Sequence, residues 1–420
     1  AKYDAEGSGG IINIVLNNNN LRGGTLSLDV GAGLRATNLG LNGSYRTGKM
    51  GFSLGGFGRG SYNQPGSFTN NQSTYDSSGI LQSNTVQSAD SRRNDLFGRY
   101  TFGWDYDIDK HNSLQASVAY GIRNNYSYQD LLRTVSTNVA RNSLINVKST
   151  NESGTIDASL NFTHTYDTPQ REFSILTLFS RNNQTNDFLN DNLGGDYSVT
   201  SRRRNDNESY NQEFTGQLDY QTPTAKNQLL EVGFKNIYRK VNSAYSYLIT
   251  TGNNDNFVAD PNQLANNFNY RQNVSAGYAT YTMGLPKGFT LKPGVRYEYT
   301  IINADFSQGI TNVNIPDYGV LVPGVNLSRK LENGNVLKLA YNRRIQRPSL
   351  QFLNPNRQAP NPLLVTKGNP NLRPEYTNNY ELGYSTIVKQ KVNLNLSAFV
   401  RNTTGSIQPF RTDSSGIIIT

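Results

Sequence analysis

The chain has 420 residues, 35% of them hydrophobic, with a mean hydropathy of −0.61 and a net charge of +9 at pH 7. It contains no run of 18 apolar residues and therefore no transmembrane helix. Its lack of cysteine excludes disulfides, thiolate metal sites and cysteine nucleophiles. The basic residues are scattered and form no nucleic-acid-binding motif, so nucleic acid is not a predicted partner.

At the N-terminus, a polar Gly-rich turn (Glu6-Gly7-Ser8-Gly9-Gly10) leads into the short apolar strand Ile11-Ile12-Asn13-Ile14-Val15-Leu16. The turn is not a P-loop, because it lacks the G-K-[ST] ending and a following helix. From there on the signal is strict alternation. Leu26, Leu28, Val30, Ala32 and Leu34 share one face. Leu96, Tyr100, Phe102, Trp104 and Tyr106 oppose Phe97, Arg99, Thr101 and Asp105, and Leu114, Val118, Tyr120 and Ile122 alternate with Gln115, Ser117 and Arg123. The pattern recurs at 156–162, 214–220, 230–234, 289–301 and 392–400, giving about fifteen strands, many longer than the roughly 9–11 residues that cross a bilayer.

Short connections (Thr47-Gly48-Lys49, then 107–112, 167–170, 222–227, 285–288, 332–335 and 389–391) alternate with long ones (63–90, 129–150, 186–205, 247–267 and 346–373). Short turns on one side and long loops on the other are the habit of outer-membrane barrels, and Trp104, Tyr106, Tyr166 and Tyr220 at strand ends fit an interfacial aromatic girdle. The fold class read from these features is all-β, an antiparallel transmembrane β-barrel whose polar interior accounts for the low hydropathy. Pro293 and Pro323, in matching Pro-Gly-Val contexts, predict local bulges.

Enzyme and metal motifs are not found. Asp105–Asp109 begins like a calcium loop but lacks its central glycine and terminal glutamate. The two histidines, His111 and His164, are far apart in sequence, and the paired carboxylates have no hydrolase context. No enzymatic activity, metal or cofactor is expected. The charges that alternation turns inward are Arg99, Asp105, Arg123, Asp219, Glu231, Lys235, Lys292, Arg296, Glu298, Lys338, Arg344 and Glu381. Of these, Arg99, Arg123, Arg296, Glu298, Arg344 and Glu381 are the candidate ligand-binding residues. Arg344 and its neighbours are placed near the outer mouth.

Two segments carry a family resemblance. The opening AKYDAEGSGGIINIV resembles the end of the plug domain of TonB-dependent outer-membrane receptors. The later series R-R-I-Q-R-P (343–348), L-N-P (353–355), G-N-P-N-L-R-P-E (368–375) and Y-E-L-G-Y (380–384) resembles the late-barrel signature of the same receptors, especially the barrel family abundant in Bacteroidota. The resemblance implies that 1–20 end a plug and 21–420 belong to a barrel of 22 strands, C-terminally incomplete, in the outer membrane of a Gram-negative bacterium. Residues 406–420 then read as an outer loop and the start of a returning strand. It further implies uptake of a scarce nutrient from an extracellular ligand, a TonB-type energy-coupling partner, outer-membrane lipid around the wall and, in a larger assembly, other envelope proteins. Such a protein must be exported, so the sequence is expected to be a mature or trimmed chain. Two alternatives stand beside this reading: a structural or accessory barrel subunit, and a passive porin.

Overall fold

The computed structural model describes residues 22–76, 78–137, 142–263, 265–306, 317–353, 358–361, 364–369, 371–388, 392–414 and 417–419. The plug-like segment 1–20 lies outside the described residues. In chain order the strands are β1 (Gly23–Ala32), β2 (Ala36–Thr47), β3 (Met50–Tyr75), β4 (Leu81–Asp107), β5 (Asn112–Thr137), β6 (Ser143–Thr165), β7 (Glu172–Leu193), β8 (Val199–Ala225), β9 (Gln228–Thr251) and β10 (Val258–Ala259). They continue as β11 (Asn266–Leu285), β12 (Phe289–Phe306), β13 (Tyr318–Lys330), β14 (Val336–Gln346), β15 (Gln358–Asn361), β16 (Leu364–Thr366), β17 (Glu375–Val388), β18 (Val392–Thr404), β19 (Thr412–Ser414) and β20 (Ile417–Ile419). Helix is confined, among the described residues, to a 3-10 turn at Pro286–Gly288 and the four-residue α1 (Leu350–Leu353).

A 16-stranded antiparallel sheet runs β1 through β9, then β11 to β14, β17 and β18, with β10 attached to β9 off this path. Consecutive path strands are therefore neighbours, so the short turns gather at one rim and the longer connections at the other, as alternation of the loops predicts. The strand register fixes two faces. Leu114, Val118 and Tyr120 on β5 share a face with Phe102 on β4 and with Ile156 and Leu160 on β6. Apart from the half-buried Leu114 these side chains stay exposed, Val118 at 48% and Tyr120 at 60%, as expected of a surface that meets lipid instead of a protein core. One polar group within the apolar band of this face is satisfied by its neighbours: Asn236 Nδ2 donates to Asn273 Oδ1 at 2.7 Å and to Ser275 Oγ at 3.0 Å. Tyr100 lies flat across β3 and donates to the Leu39 carbonyl at 2.8 Å. Only glycine at position 56 leaves room for its ring.

At the short-turn rim Trp104 and Tyr106 stack at 5.9 Å, and Arg171 lies 4.4 Å above Tyr166 while its Nε donates to the Tyr220 hydroxyl at 2.9 Å. This is the girdle expected from the strand ends. The register also brings His111 and His164 together, with ring centroids 6.2 Å apart.

Four expectations are corrected. Most of 63–90, 129–150, 186–205 and the first part of 247–267 is not loop but strand: β3, β4 and β8 reach 26, 27 and 27 residues. A tilted strand covers a roughly 25 Å lipid band with about ten residues, so these hairpins project about 40 Å beyond it. There the outer face meets water instead of lipid and apolar alternation weakens, although Ala89, Leu132, Ile145 and Val147 still make a small buried cluster with Phe68. Side-chain bonds across the strands are added, such as Thr85 to Ser136 at 3.0 Å and Asn242 to Asn269 at 2.7 Å. The segment expected to begin a returning strand instead forms β19 and β20, which join β15 and β16 in a separate four-stranded sheet through parallel pairing of Ile418 and Ile419 with Leu364 and Val365. Of the long connection 346–373, the described stretch up to Leu353 is not a loop at the rim but turns inward, as described below.

The prolines make no bulge. The β12–β13 register passes unbroken through Pro293↔Val325 and Val295↔Pro323. Each missing N–H falls on the other side. The β11–β12 ladder lapses at Pro293, between the pairs Thr280↔Gly294 and Met283↔Leu291, and β13 pairs with β14 only from Gly324 onward.

Candidate functional site in the luminal wall

The inner face carries the polar half of every strand. All twelve charges that alternation turned inward lie on it by register, but they do not form one site. On β4 and β5, Arg99 and Arg123 line a cavity of about 690 Å³ with Arg93, Asn125, Asn151, Asn182 and Gln184. Arg99 Nη2 is 2.7 Å from Asp157 Oδ2, and both groups remain partly open to solvent. Asn182 Nδ2 donates to Thr155 Oγ1 at 2.6 Å. Farther round the wall Lys292 bridges to Glu231 at 2.7 Å.

Arg296 and Glu298 form a second centre. They stand at alternate positions of β12, so both side chains leave the same face, and Arg296 Nε meets Glu298 Oε1 at 2.6 Å. The opposite carboxylate oxygen accepts from Arg347 Nη2 at 2.6 Å, and the same nitrogen donates to Thr300 Oγ1 at 3.2 Å. Exposure of Arg296, Glu298 and Thr300 is 1%, 2% and 0%, so the pairing is fully desolvated. Two guanidinium groups thus share one carboxylate in a dry site, an arrangement that holds only while each charge keeps its partner. Arg296 also lies 5.5 Å over the Tyr278 ring, which has room because residue 233 beside it has no side chain.

Arg347 comes from the segment after β14, which explains how the site is closed. β14 leaves β13 after the Gly324↔Asn342 pair. Ile345 then packs against Val320, Tyr318 and Val322 on the inner face of β13, with Tyr376 beside them. Pro348 follows directly and cannot donate to a ladder, so the chain turns off the sheet. One turn later Leu353 of α1 packs on Val241, Phe268 and Tyr270 of β9 and β11. Residues 345–353 therefore form a strap laid across the inner wall from β13 to β9, pinned by Arg347 in the middle and Leu353 at its end. Beside it lies a cavity of about 600 Å³ bounded by Tyr270, Gln272, Tyr318, Arg347, Arg373 and Tyr376.

Arg344 and Glu381 also face inward, opposite Thr377 and Ala340 on the β14–β17 ladder. Alternation missed Arg347, Thr300, Tyr278 and Tyr318. For Arg347 a signal existed: an Arg-Pro step immediately after the last strand residues marks a charged side chain leaving the ladder.

The Outer membrane protein beta-barrel family model matches residues 164–420, more than half of the chain. No curated protein matches significantly. Among solved structures the chain is similar in fold to the ferric-catecholate import receptor Fiu from E. coli K12, with a TM-score of 0.57, 13% identity, and coverage of 95% of this chain and 60% of that one. It is similar also to the copper transporter OprC (TM-score 0.55, 12% identity, 91% and 53% covered) and the ferric citrate transporter FecA (0.50, 11%, 88% and 51%). The chain thus spans between 51% and 60% of the length of these three proteins. Matched register, lipid-facing band and family model together make it a protein of the bacterial outer membrane, and the chain belongs to the outer membrane protein β-barrel family.

Proposed function

We propose that this chain is the wall of a gated import receptor that takes a scarce nutrient from outside the cell, driven by a TonB-type energy-coupling protein. The observation that carries this reading is the strap at 345–353: a passive pore needs a free lumen, whereas here the chain is folded onto its own inner wall and locked by buried charges. The likeness in fold to import receptors and the plug-like sequence of 1–20 support it. On this reading 1–20 end a plug that sits within the wall formed by 21–420, and the inward residues Arg99, Arg123, Arg344 and Glu381 meet the plug or the passing ligand. Arg296 and Glu298 hold the strap instead of the ligand.

The test is direct binding. Calorimetric titration of the full-length natural protein with the purified periplasmic domain of a TonB-type protein should give a saturable one-to-one complex. Absence of binding at concentrations up to about 100 μM, where even a −5.5 kcal/mol interaction is half saturated, would remove the energy-coupled reading.

A further inference from the structure

The outward face carries a second feature, unrelated to transport. Arg181 on β7, Gln212 on β8, Lys240 on β9 and Arg271 on β11 occupy one continuous row of cross-strand pairs: Arg181↔Gln212, Gln212↔Lys240 and Lys240↔Arg271. Their faces are those of Phe179, Phe214 and Tyr238, one alternate position nearer the short-turn rim, and Phe214 and Tyr238 are 49% and 42% exposed as lipid-facing groups. The row therefore stands immediately above the apolar band on the side where the long hairpins emerge, at the level of outer-leaflet headgroups.

Lys240 and Arg271 are directly opposed like charges, an arrangement that destabilises a sheet unless an anion lies between them. No carboxylate among the described residues pairs with Arg181, Lys240 or Arg271, and the flanking members of the row are Gln212 and Asn303. The carboxylates of this face, Glu152, Asp187, Asp206, Glu208 and Asp305, all stand farther out along the hairpins; Asp305 comes nearest, one alternate position beyond Asn303, and Arg204 already pairs with Asp206 at 2.7 Å. Tyr210 organises the row: Arg181 lies 4.8 Å and Lys240 5.7 Å from its ring centroid, while Arg181 Nε donates to Asn183 Oδ1 at 3.0 Å. With three strand spacings between them, Arg181 and Arg271 span roughly 14 Å, enough for a headgroup bearing more than one phosphate.

We propose that Arg181, Lys240 and Arg271 form a binding site for the phosphorylated headgroup of an outer-leaflet glycolipid, whose acyl chains lie against Phe214 and Tyr238. The guanidinium and ammonium groups supply the charge, the amides of Gln212 and Asn183 supply neutral hydrogen bonds, and the apolar band holds the tails. Lipid so held is a fixed part of the wall instead of bulk solvent.

The test is native mass spectrometry of the full chain, folded in neutral detergent, with added bis-phosphorylated lipid A or its dephosphorylated form. The wild type should retain the phosphorylated lipid and not the dephosphorylated one. K240Q/R271Q should weaken retention about thirtyfold, while the luminal control R99Q leaves it unchanged. Equal retention of both lipids by the wild type would overturn the proposal even if the double variant failed to fold. So would unchanged retention by a folded double variant, or displacement of the lipid by millimolar inorganic phosphate, which would assign the site to the free anion.

Discussion

Replacing Glu298 with Gln should unlock the strap. The carboxylate holds two guanidinium groups, Arg296 and Arg347, each with a nitrogen 2.6 Å from one of its oxygens, in a site that is 1–2% exposed at β12. Each attraction is of the order of 4 kcal/mol at an effective dielectric of 20, offset by desolvation and by repulsion between the two arginines. Removing the shared anion leaves two buried cations facing each other, and the loss expected for breaking such a pair from one side is about 3–5 kcal/mol. Arg347→Met should cost less, because Arg296 and Glu298 remain paired. The double variant should be better than the sum of the singles, with a coupling of about 2 kcal/mol. The assay is equilibrium urea unfolding of the full chain in vesicles, together with hydrogen exchange at 347–353, which should accelerate in E298Q while the β5–β8 ladder stays protected. A coupling below about 0.5 kcal/mol with unchanged exchange would refute the strap as a charge-locked element.

On the lipid face, Val118→Arg or Tyr100→Arg should reduce folding into liposomes by about 2–4 kcal/mol near the midplane, whereas Thr101→Arg on the inner face should fold well; equal yields would contradict the assignment of faces. Gly56→Val should lower stability by about 1–3 kcal/mol through collision with the Tyr100 ring, while Gly55→Ala, whose added carbon meets open space, should be neutral; matching urea midpoints would contradict the packing. The Asp109 side chain, accepting from the Asn112 amide and from the His111 N–H, and the Asp196 side chain, accepting from Ser198, are held below the ordinary 3.8. Their stabilisation is present above 3.8 and is lost as pH falls through the lowered values, so carboxyl NMR titrations should show midpoints below 3.8; midpoints at or above it would contradict the turn geometry. Asp187, raised by burial and then by Asp206, should titrate above its ordinary value, and an unshifted midpoint would contradict that crowding.

The membrane-crossing part of the wall was legible because lipid and lumen impose opposite demands on successive residues. Leu114 to Ile122 and Leu96 to Tyr106 alternate with few exceptions, Phe97 and Ala119 among the inward residues, and the register follows. Above the lipid that contrast weakens, so the upper halves of β3, β4, β7 and β8 look like Asn- and Ser-rich loops. They are nevertheless paired, β3 with β4 and β7 with β8, with register breaks in these two ladders only between Ser61 and Gln64, between Thr74 and Tyr75, and between Asn192 and Leu193. The prolines read as interruptions, but which neighbouring ladder lapses depends on hydrogen-bond direction, which alternation does not reveal. The inward faces of Arg296 and Glu298 were readable from period two. Their engagement by Arg347 was not, since it depends on a chain reversal after β14 that brings distant residues together.

The most direct test of a gated wall is single-channel conductance of the full-length natural protein in planar bilayers, compared with a version lacking everything before Ile11. A gated wall should be almost silent when intact and leaky when shortened, with the leak rising further when E298Q frees the strap. A large, steady conductance in the intact protein would contradict it and make the chain a passive porin.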